Sequence, residues 1–398
     1  VAIPSRRALA RVLQSLLQAE LASARGKRGG NIATNLPPGP WPDATSLTGR
    51  GPSDLGCDWL EALWLSSAAC EMFDLAAAGR HHALATSSRF GEWLDIIEGA
   101  WRDGLSTITF STSGTTGKPK RCTHTLTDLC AEARHFGGLF GDSRRVLSFV
   151  PAHHVYGFLF TALLPDVLDA ECLDTGPAIE ALAALQPGDL IVAFPERWLW
   201  IERVVRRFGA DIRGVTSTAP CPRDLVEALV AAGLDGMTEI YGSSETAGIG
   251  TRSWPETAYR LLPRWSFAAD AGCEMLVDSS GVSACPDVIE RIGSDTFIPA
   301  GRLDGAVQVG GTNVHPERIA AALRERPGIA EVAVRLMRPD EGSRLKAFVV
   351  ADGSIAPDAL LASLCKWLAE TMEPAARPVG FSFGPRLPRN ALGKLADW

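Results

Sequence analysis

The sequence holds no stretch of eighteen apolar residues without a charge, so it predicts no membrane span. It has no block of like charge, and its formal net charge of -7 with a pI near 5.6 argues against a polyanion-binding surface, so no nucleic-acid partner is expected. No basic segment followed by an apolar core opens the chain; no signal peptide is expected, and the expected location is cytoplasmic. The nine cysteines include no C-x-x-C pair and their number is odd, which predicts reduced thiols and no zinc site. The seven histidines also lack metal-ligand spacing. Internal repeats and low-complexity tracts are absent.

What is present is a 398-residue chain with 46% hydrophobic residues, the length of two or three domains of ordinary globular composition. Leu9, Val12, Leu13, Leu16, Leu17 and Leu21 recur at three and four and predict a helix over 5–24; a second is predicted over roughly 90–101. Gly29 to Gly51 reads as a polar, Pro/Gly-rich connection. The stretch 54–75 is read as an amphipathic helix with Leu60, Leu63, Trp64 and Ala68 on its apolar face. From about 105 to 300, strand patterns at 145–150, 190–194 and 212–217 alternate with helical ones at 128–139, 195–208 and 222–232. That alternation predicts an α/β domain with mostly parallel sheets flanked by helices. Beyond 305 the pattern becomes that of a small α+β unit of about ninety residues, large enough for its own core. The expected division is a large domain over 1–302, mainly helical up to 104, and a small one over 303–398.

The stretch with the most distinctive chemistry is Thr112 to Lys120, TSGTTGKPK, which follows a strand-like run at 106–110. Gly114 and Gly117 let a backbone approach an anion closely. Ser113, Thr115 and Thr116 add hydroxyl donors and Lys118 a mobile positive charge, so the composition is that of a phosphate-holding loop. It is not the common nucleotide-binding loop, because Thr112 and Pro119 stand where that pattern needs glycine and a hydroxyl residue. The stretch resembles the phosphate-loop signature of the adenylate-forming enzymes, the superfamily of acyl-CoA synthetases, aryl-CoA ligases, peptide-synthetase adenylation domains and luciferases.

Five further stretches resemble that superfamily's blocks, in its order. EIYGSSET (239–246) resembles Y-G-x-T-E with Ser244 in place of threonine. The resemblance makes Tyr241 the adenine-stacking ring, adds Gly242, Ser243 and Ser244 to the nucleotide site, and makes Glu245 the Mg2+ ligand, a role that suits a carboxylate. PAHHVYG (151–157) implies His154 at the mouth of the acyl pocket, with His153 as its neighbour. STAP (217–220) implies Ser217, Ala219 and Pro220 lining the adenine and acyl pockets. Asp287, with Asp295 as the fallback, and Arg302 of GRLDG would hold the ribose, and Asp304 would be the hinge of a mobile C-terminal domain. PRNALGK (388–394) implies Lys394 as the lysine that stabilises charge on the α-phosphate and the attacking carboxylate.

The implied fold is a large adenylate-forming domain with a small mobile C-terminal domain. The implied catalytic residues are Lys394, Glu245 and His154. The implied reaction joins a carboxylic acid to ATP as acyl-AMP with loss of pyrophosphate, then passes the acyl group to a phosphopantetheine thiol, on coenzyme A or an acyl carrier protein. The abbreviated N-terminal part resembles aryl acid ligases of aryl-polyene and xanthomonadin type, which implies a hydroxybenzoate or hydroxycinnamate. Tyr156, Phe194, Ser217 and Gly242, together with Trp198 and Trp200, are the expected walls of such an acyl pocket. The stretch 54–75 also resembles the arm-attachment site of acyl carrier proteins, but Trp59 stands where the serine would be, so no arm can be attached. Two alternatives stay open on sequence: a fatty-acyl or other acyl-adenylate ligase, and a non-catalytic nucleotide-binding module that docks a carrier protein.

Overall fold

A computed structural model describes residues 3–27, 36–37, 39–112, 120–268, 275–278, 281–284, 287–302, 305–338, 340–388 and 398. The first quarter is helical: α1 (Arg6–Lys27), α2 (Trp59–Met72), α3 (His81–Thr86) and α4 (Phe90–Arg102). Local sequence sets their ends. Asp58 caps α2 by accepting from the Glu61 N–H, and Glu61 reaches back to the Asp58 N–H, a reciprocal pair of bonds. The apolar faces of α1 and α4 pack on a common core containing Leu9, Leu13, Phe90, Trp93 and Ile97.

A hairpin follows, β1 (Thr107–Thr112) antiparallel to β2 (Lys120–Thr125), and Thr125 caps α5 (Leu126–Leu139). The alternating region then supplies β3 (Arg145–Ser148), α6 (Val155–Gly157), a π-helical turn (Phe158–Leu163), α7 (Leu164–Leu168) and β4 (Glu171–Leu173). It continues as α8 (Thr175–Ala181), β5 (Asp189–Ala193), α9 (Pro195–Val204), β6 (Arg213–Thr216), α10 (Arg223–Ala231) and β7 (Gly236–Ser243). Then come β8 (Ala247–Ser253), β9 (Tyr259–Leu261), β10 (Ser266–Phe267), β11 (Met275–Asp278), β12 (Gly281–Ala284), β13 (Asp287–Arg291) and β14 (Thr296–Arg302).

Nine of these strands form one sheet in the order β13-β14-β9-β8-β7-β6-β5-β3-β4. The expected parallel arrangement holds for β4-β3-β5-β6-β7. From β7 onward the pairing is antiparallel. The reason is connection length: helical crossovers join the parallel strands, whereas β7 turns straight back into β8 and has no room for a crossover. The sheet is therefore mixed, and the sequence expectation of mostly parallel sheets describes one half of it.

Helices cover the parallel half. One core fills the α1, α4, α5 and π-helix side; a second fills the α9 and α10 side around Trp198. Trp198 is fully buried, its indole N–H donates to the Val215 carbonyl at 3.1 Å, and its ring abuts Gly214, where a Cβ would come within 2.8 Å of the ring. Trp198 is thus core, not a pocket wall; periodicity could not separate the two uses of an aromatic ring.

The helix over 59–72 also corrects the sequence reading. Leu65, Ala69 and Met72 face the core, while Leu60, Leu63 and Trp64 are exposed. The helix is apolar on both sides, so spacing alone could not choose its inner face. Trp59 is 76% exposed at its first turn, and the stretch is built into the large domain rather than standing as a separate carrier unit.

The C-terminal unit has the hairpin β15 (Val307–Val309) and β16 (Thr312–Val314), α11 (Pro316–Arg324), β17 (Ile329–Leu336), β18 (Leu345–Ala351), α12 (Pro357–Thr371) and β19 (Gly380–Phe383). Its own core includes Leu323, Val332, Leu345, Leu360 and Leu364. Among the described residues, no helix is long and apolar enough to cross a membrane.

Replacing Trp198 with alanine is expected to cost about 3–5 kcal/mol of stability, the range for truncating a buried aromatic side chain. Equilibrium urea unfolding of Trp198→Ala checks this, and a loss below about 1 kcal/mol would place the ring outside the core.

Candidate active site

Open α/β sheets bind ligands at the carboxyl ends of parallel strands, where successive loops face one another. Here those ends carry most of the described residues among those singled out from sequence. The loop after β3 carries His153 and His154; β5 ends at Ala193 and leads to Phe194; β6 ends at Thr216 and leads to Ser217, Ala219 and Pro220; β7 carries Tyr241, Gly242 and Ser243 and leads to Ser244 and Glu245.

The β7–β8 reversal is sterically tight. Gly242 pairs with Gly248 across a register shift, and a Cβ at Gly242 would lie 2.1 Å from the Ala247 carbonyl oxygen. Ala247 sits at φ 54, in the left-handed region. Ser243 Oγ and Thr246 Oγ1 are 2.9 Å apart, and each residue's N–H also donates to the other's hydroxyl, which closes the turn around Glu245.

Glu245 is about one-third exposed and receives a 2.6 Å bond from the Lys120 ammonium. Burial acts to raise its carboxyl, but the Lys120 bond and local donors outweigh that and hold it below the usual carboxylate range. His124 of β2 meets the Ser244 carbonyl at 2.7 Å, and burial keeps its imidazole below its ordinary range despite that contact. Lys120 and His124 thus tie the hairpin that flanks residues 113–119 to the Glu245 turn. The sequence reading gave neither a role in the site. Lys120 closes the glycine-rich stretch, a signal available in the sequence; nothing local marks His124.

Tyr241 donates from its hydroxyl to Asp287, and its ring packs edge-on against Phe297 and beside Tyr259. Asp287 is the cross-strand partner of Arg302 in the β13–β14 ladder. The two expected ribose residues are therefore neighbours, next to Tyr241. Asp295, the fallback, is instead paired with Arg260 at the β9–β14 edge.

Ser217 donates to the Ile240 carbonyl at 2.9 Å, which fixes the start of the 217–220 loop. Thr218 sits at φ 78, and the β15–β16 tip lies beside it: a Cβ at Gly311 would be 3.1 Å from Thr218 Oγ1. Tyr156 is buried, its hydroxyl set between the Ala193 and Val215 carbonyls at 3.2 and 3.1 Å, so it ties the ends of β5 and β6. Phe194 is half-buried against the first core, and Trp200 is partly buried against the second.

His153 and His154 border a cleft of about 620 Å³ with Leu16, Glu20, Trp64 and Ser111. His153 Nδ1 lies 2.8 Å from the Ser15 hydroxyl. Burial, helped by His154, pushes His153 down to about 3, and burial lowers His154 too, so both rings are neutral at physiological pH. Ser113, Gly114, Thr115, Thr116, Gly117, Lys118, Asp304 and Lys394 lie outside the described residues, and of Arg302 only the backbone is described. Among the described residues, no group of three or more His, Cys, Asp or Glu is placed to hold a metal ion. Glu245 is a single ionised carboxylate, a donor set that fits a hard cation whose other ligands are substrate oxygens.

The chain belongs to the AMP-binding enzyme family: residues 88–283 match the AMP-binding enzyme model, and 318–394 match the AMP-binding enzyme C-terminal domain. A 4-coumarate–CoA ligase of Halorhodospira halophila is 36% identical over 392 residues, 97% of each chain. Another, of Rhodobacter capsulatus, is 37% identical over 403 residues, 98% of this chain and 99% of that one. Among solved structures, o-succinylbenzoate CoA synthetase of Bacillus subtilis shares the fold, with TM-score 0.59 at 18% identity over 96% of this chain and 90% of that one. The chain is an AMP-forming acid–thiol ligase, which activates a carboxylic acid with ATP as acyl-AMP and transfers it to a thiol.

Removing the Lys120 cation is expected to let the Glu245 carboxyl rise. Lys120→Met should move the acid limb of Mg2+-dependent pyrophosphate exchange to higher pH, because Glu245 would then lose its charge sooner as pH falls. A pH–rate profile of wild type and variant checks this; an unmoved limb would mean that Lys120 does not set the ionisation of Glu245.

Proposed function

We propose that the acid is a hydroxylated aromatic one, of the hydroxycinnamate or hydroxybenzoate class, and that the acceptor is coenzyme A. The observation that carries this reading is the gathering of His154, Phe194, Ser217, Tyr241 and Glu245 at the carboxyl ends of adjacent strands, in a chain 36–37% identical over nearly its whole length to ligases named for 4-coumarate.

In this reading Asp287 and Arg302 hold the ribose, with the Tyr241 hydroxyl orienting Asp287 and the Tyr241 ring beside the adenine. Gly242, Ser243, Ser244, Ala219 and Pro220 bring backbone close to the nucleotide. Ser113 to Lys118 cradle the phosphates. Glu245 holds Mg2+, which when bound offsets negative charge on the phosphate oxygens. Lys394 neutralises charge as the carboxylate oxygen attacks the α-phosphorus and pyrophosphate leaves. His154, kept neutral by burial, borders the acyl group without adding charge to it.

The small domain spans 303–398 and turns about Asp304, so that Lys394 serves the first half-reaction and the thiol reaches the acyl-adenylate in the second. The β15–β16 tip beside Thr218 supports a part for this domain next to the 217–220 loop. A reducing, cytoplasmic setting completes the reading and agrees with seven free cysteines among the described residues. A carrier-protein thiol, as in aryl-polyene and xanthomonadin-type ligases, is the alternative acceptor.

ATP–pyrophosphate exchange with 4-coumarate, 3- and 4-hydroxybenzoate, benzoate, octanoate and alanine tests this. Exchange is expected with a hydroxylated aromatic acid and is expected to fall by at least about a hundredfold in Lys394→Ala, the scale for losing a group that stabilises transition-state charge. Octanoate alone supporting exchange would overturn the aromatic assignment. Thioester formation with coenzyme A against a pantetheinylated carrier protein then decides the acceptor.

A further inference from the structure

Glu132 has no part in the chemistry above, yet its side chain is only 1% exposed. Burying a carboxylate is costly unless its partners compensate. Its partners lead to the turn that carries Glu245. Glu132 projects from α5, and its Oε1 accepts a 2.9 Å bond from the Gly248 N–H. Its Oε2 lies 3.6 Å from the Arg264 guanidinium and, among the described residues, receives no hydrogen bond. Arg264 in turn donates to the Thr246 carbonyl and stacks over the Trp265 ring at 4.6 Å. The Trp265 indole donates to the Gly248 carbonyl at 2.7 Å. Three backbone groups of residues 246–248 are therefore held by Glu132, Arg264 and Trp265. Only a glycine permits this close approach, since a Cβ at Gly248 would lie 2.2 Å from Glu132 Oε1.

We propose that Glu132 is a positioning residue for MgATP: through Gly248 and Arg264 it fixes the turn that presents Glu245. This rests on the reading of Glu245 as the cation ligand. The charged groups facing Glu132 are Arg264, from the segment after β9, and Asp128, one turn earlier on α5; His124 of β2 lies near Arg264 and is held below its usual range by burial. Burial pushes the Glu132 carboxyl up to about 7, against the pull of Arg264 and the Gly248 N–H. The carboxylate form, which attracts Arg264, thus prevails above neutrality, and the protonated form, close in shape to a glutamine, prevails below it.

Stability and function then run in opposite directions. A folded-state pKa raised above its unfolded value gives a stability contribution that is full below the ordinary carboxylate range and is lost as pH rises through about 7. Glu132→Gln is therefore expected to gain in thermal midpoint relative to wild type as pH rises, while its MgATP binding falls behind.

The test is calorimetric MgATP affinity of the full chain, with thermal midpoints, for wild type and Glu132→Gln. At about pH 8 the variant is expected to bind about tenfold more weakly, the scale of losing an outer-shell partner of a metal ligand, and at about pH 6 within about twofold of wild type. A ratio independent of pH, or a loss of affinity that tracks a loss of thermal midpoint, overturns the proposal. Arg264→Gln is the second variant: by removing the positive partner it is expected to move the pH midpoint of MgATP affinity upward, and an unchanged midpoint counts against the proposal equally. Because MgATP binding is read directly, failure of the aromatic-acid assignment would leave this result unaffected.

Discussion

The architecture depends on one steric constraint, the reversal of β7 into β8. Gly242 leaves no space for a side chain beneath the Ala247 carbonyl, Gly248 leaves none beside Glu132, and Ala247 takes a left-handed backbone. That reversal ends the parallel half of the sheet and begins the antiparallel half. It also sets Glu245 at the strand ends, where the loops after β3, β5 and β6 converge. A crossover helix in its place would have carried the chain away from the ligand edge.

Around this turn the protein uses buried polar groups in two ways. Some complete the backbone. Tyr156 ties β5 to β6, Ser217 anchors the loop after β6, and Trp198 and Trp265 spend their indole donors on main-chain carbonyls. Others tune charge. The two histidines at the cleft are held neutral by burial, Glu245 is held ionised by Lys120, and Glu132 is poised near neutrality. The contrast follows from partners: a carboxylate met by a cation and local donors keeps its charge, whereas one met by a backbone N–H and a guanidinium at 3.6 Å largely bears the cost of lost water.

The cleft beside His153 and His154 is walled by the N-terminal helices. Helices α1 and α2 supply Leu16, Glu20 and Trp64 to its wall, and Ser15 holds His153. The outward apolar face of α2, which periodicity had turned toward the core, borders this space instead. Its exposed leucines and indole make sense as part of a lined cleft rather than as core that failed to close.

Much of the molecule was legible in the residues themselves. Period-3.6 leucines marked α1, alternating β-branched and helical stretches marked the parallel half of the sheet, and the change of texture beyond 305 marked the small domain, because each is a local pattern of side-chain spacing. The stretches 217–220 and 239–246 likewise stand out by their small residues, and the structure sets both at the carboxyl ends of β6 and β7. What sequence could not decide was anything that depends on contacts between distant segments. Tertiary structure alone brought Asp287 to Tyr241 and beside Arg302, drew Lys120 and His124 to the Glu245 turn, assigned Trp198 to the core, and chose the inner face of α2. The physical reason is that periodicity records which residues share a face, whereas burial, ion pairing and the ionisation of Glu132 are set by what packs against that face from elsewhere in the chain, as Gly248 does against Glu132 across 116 residues.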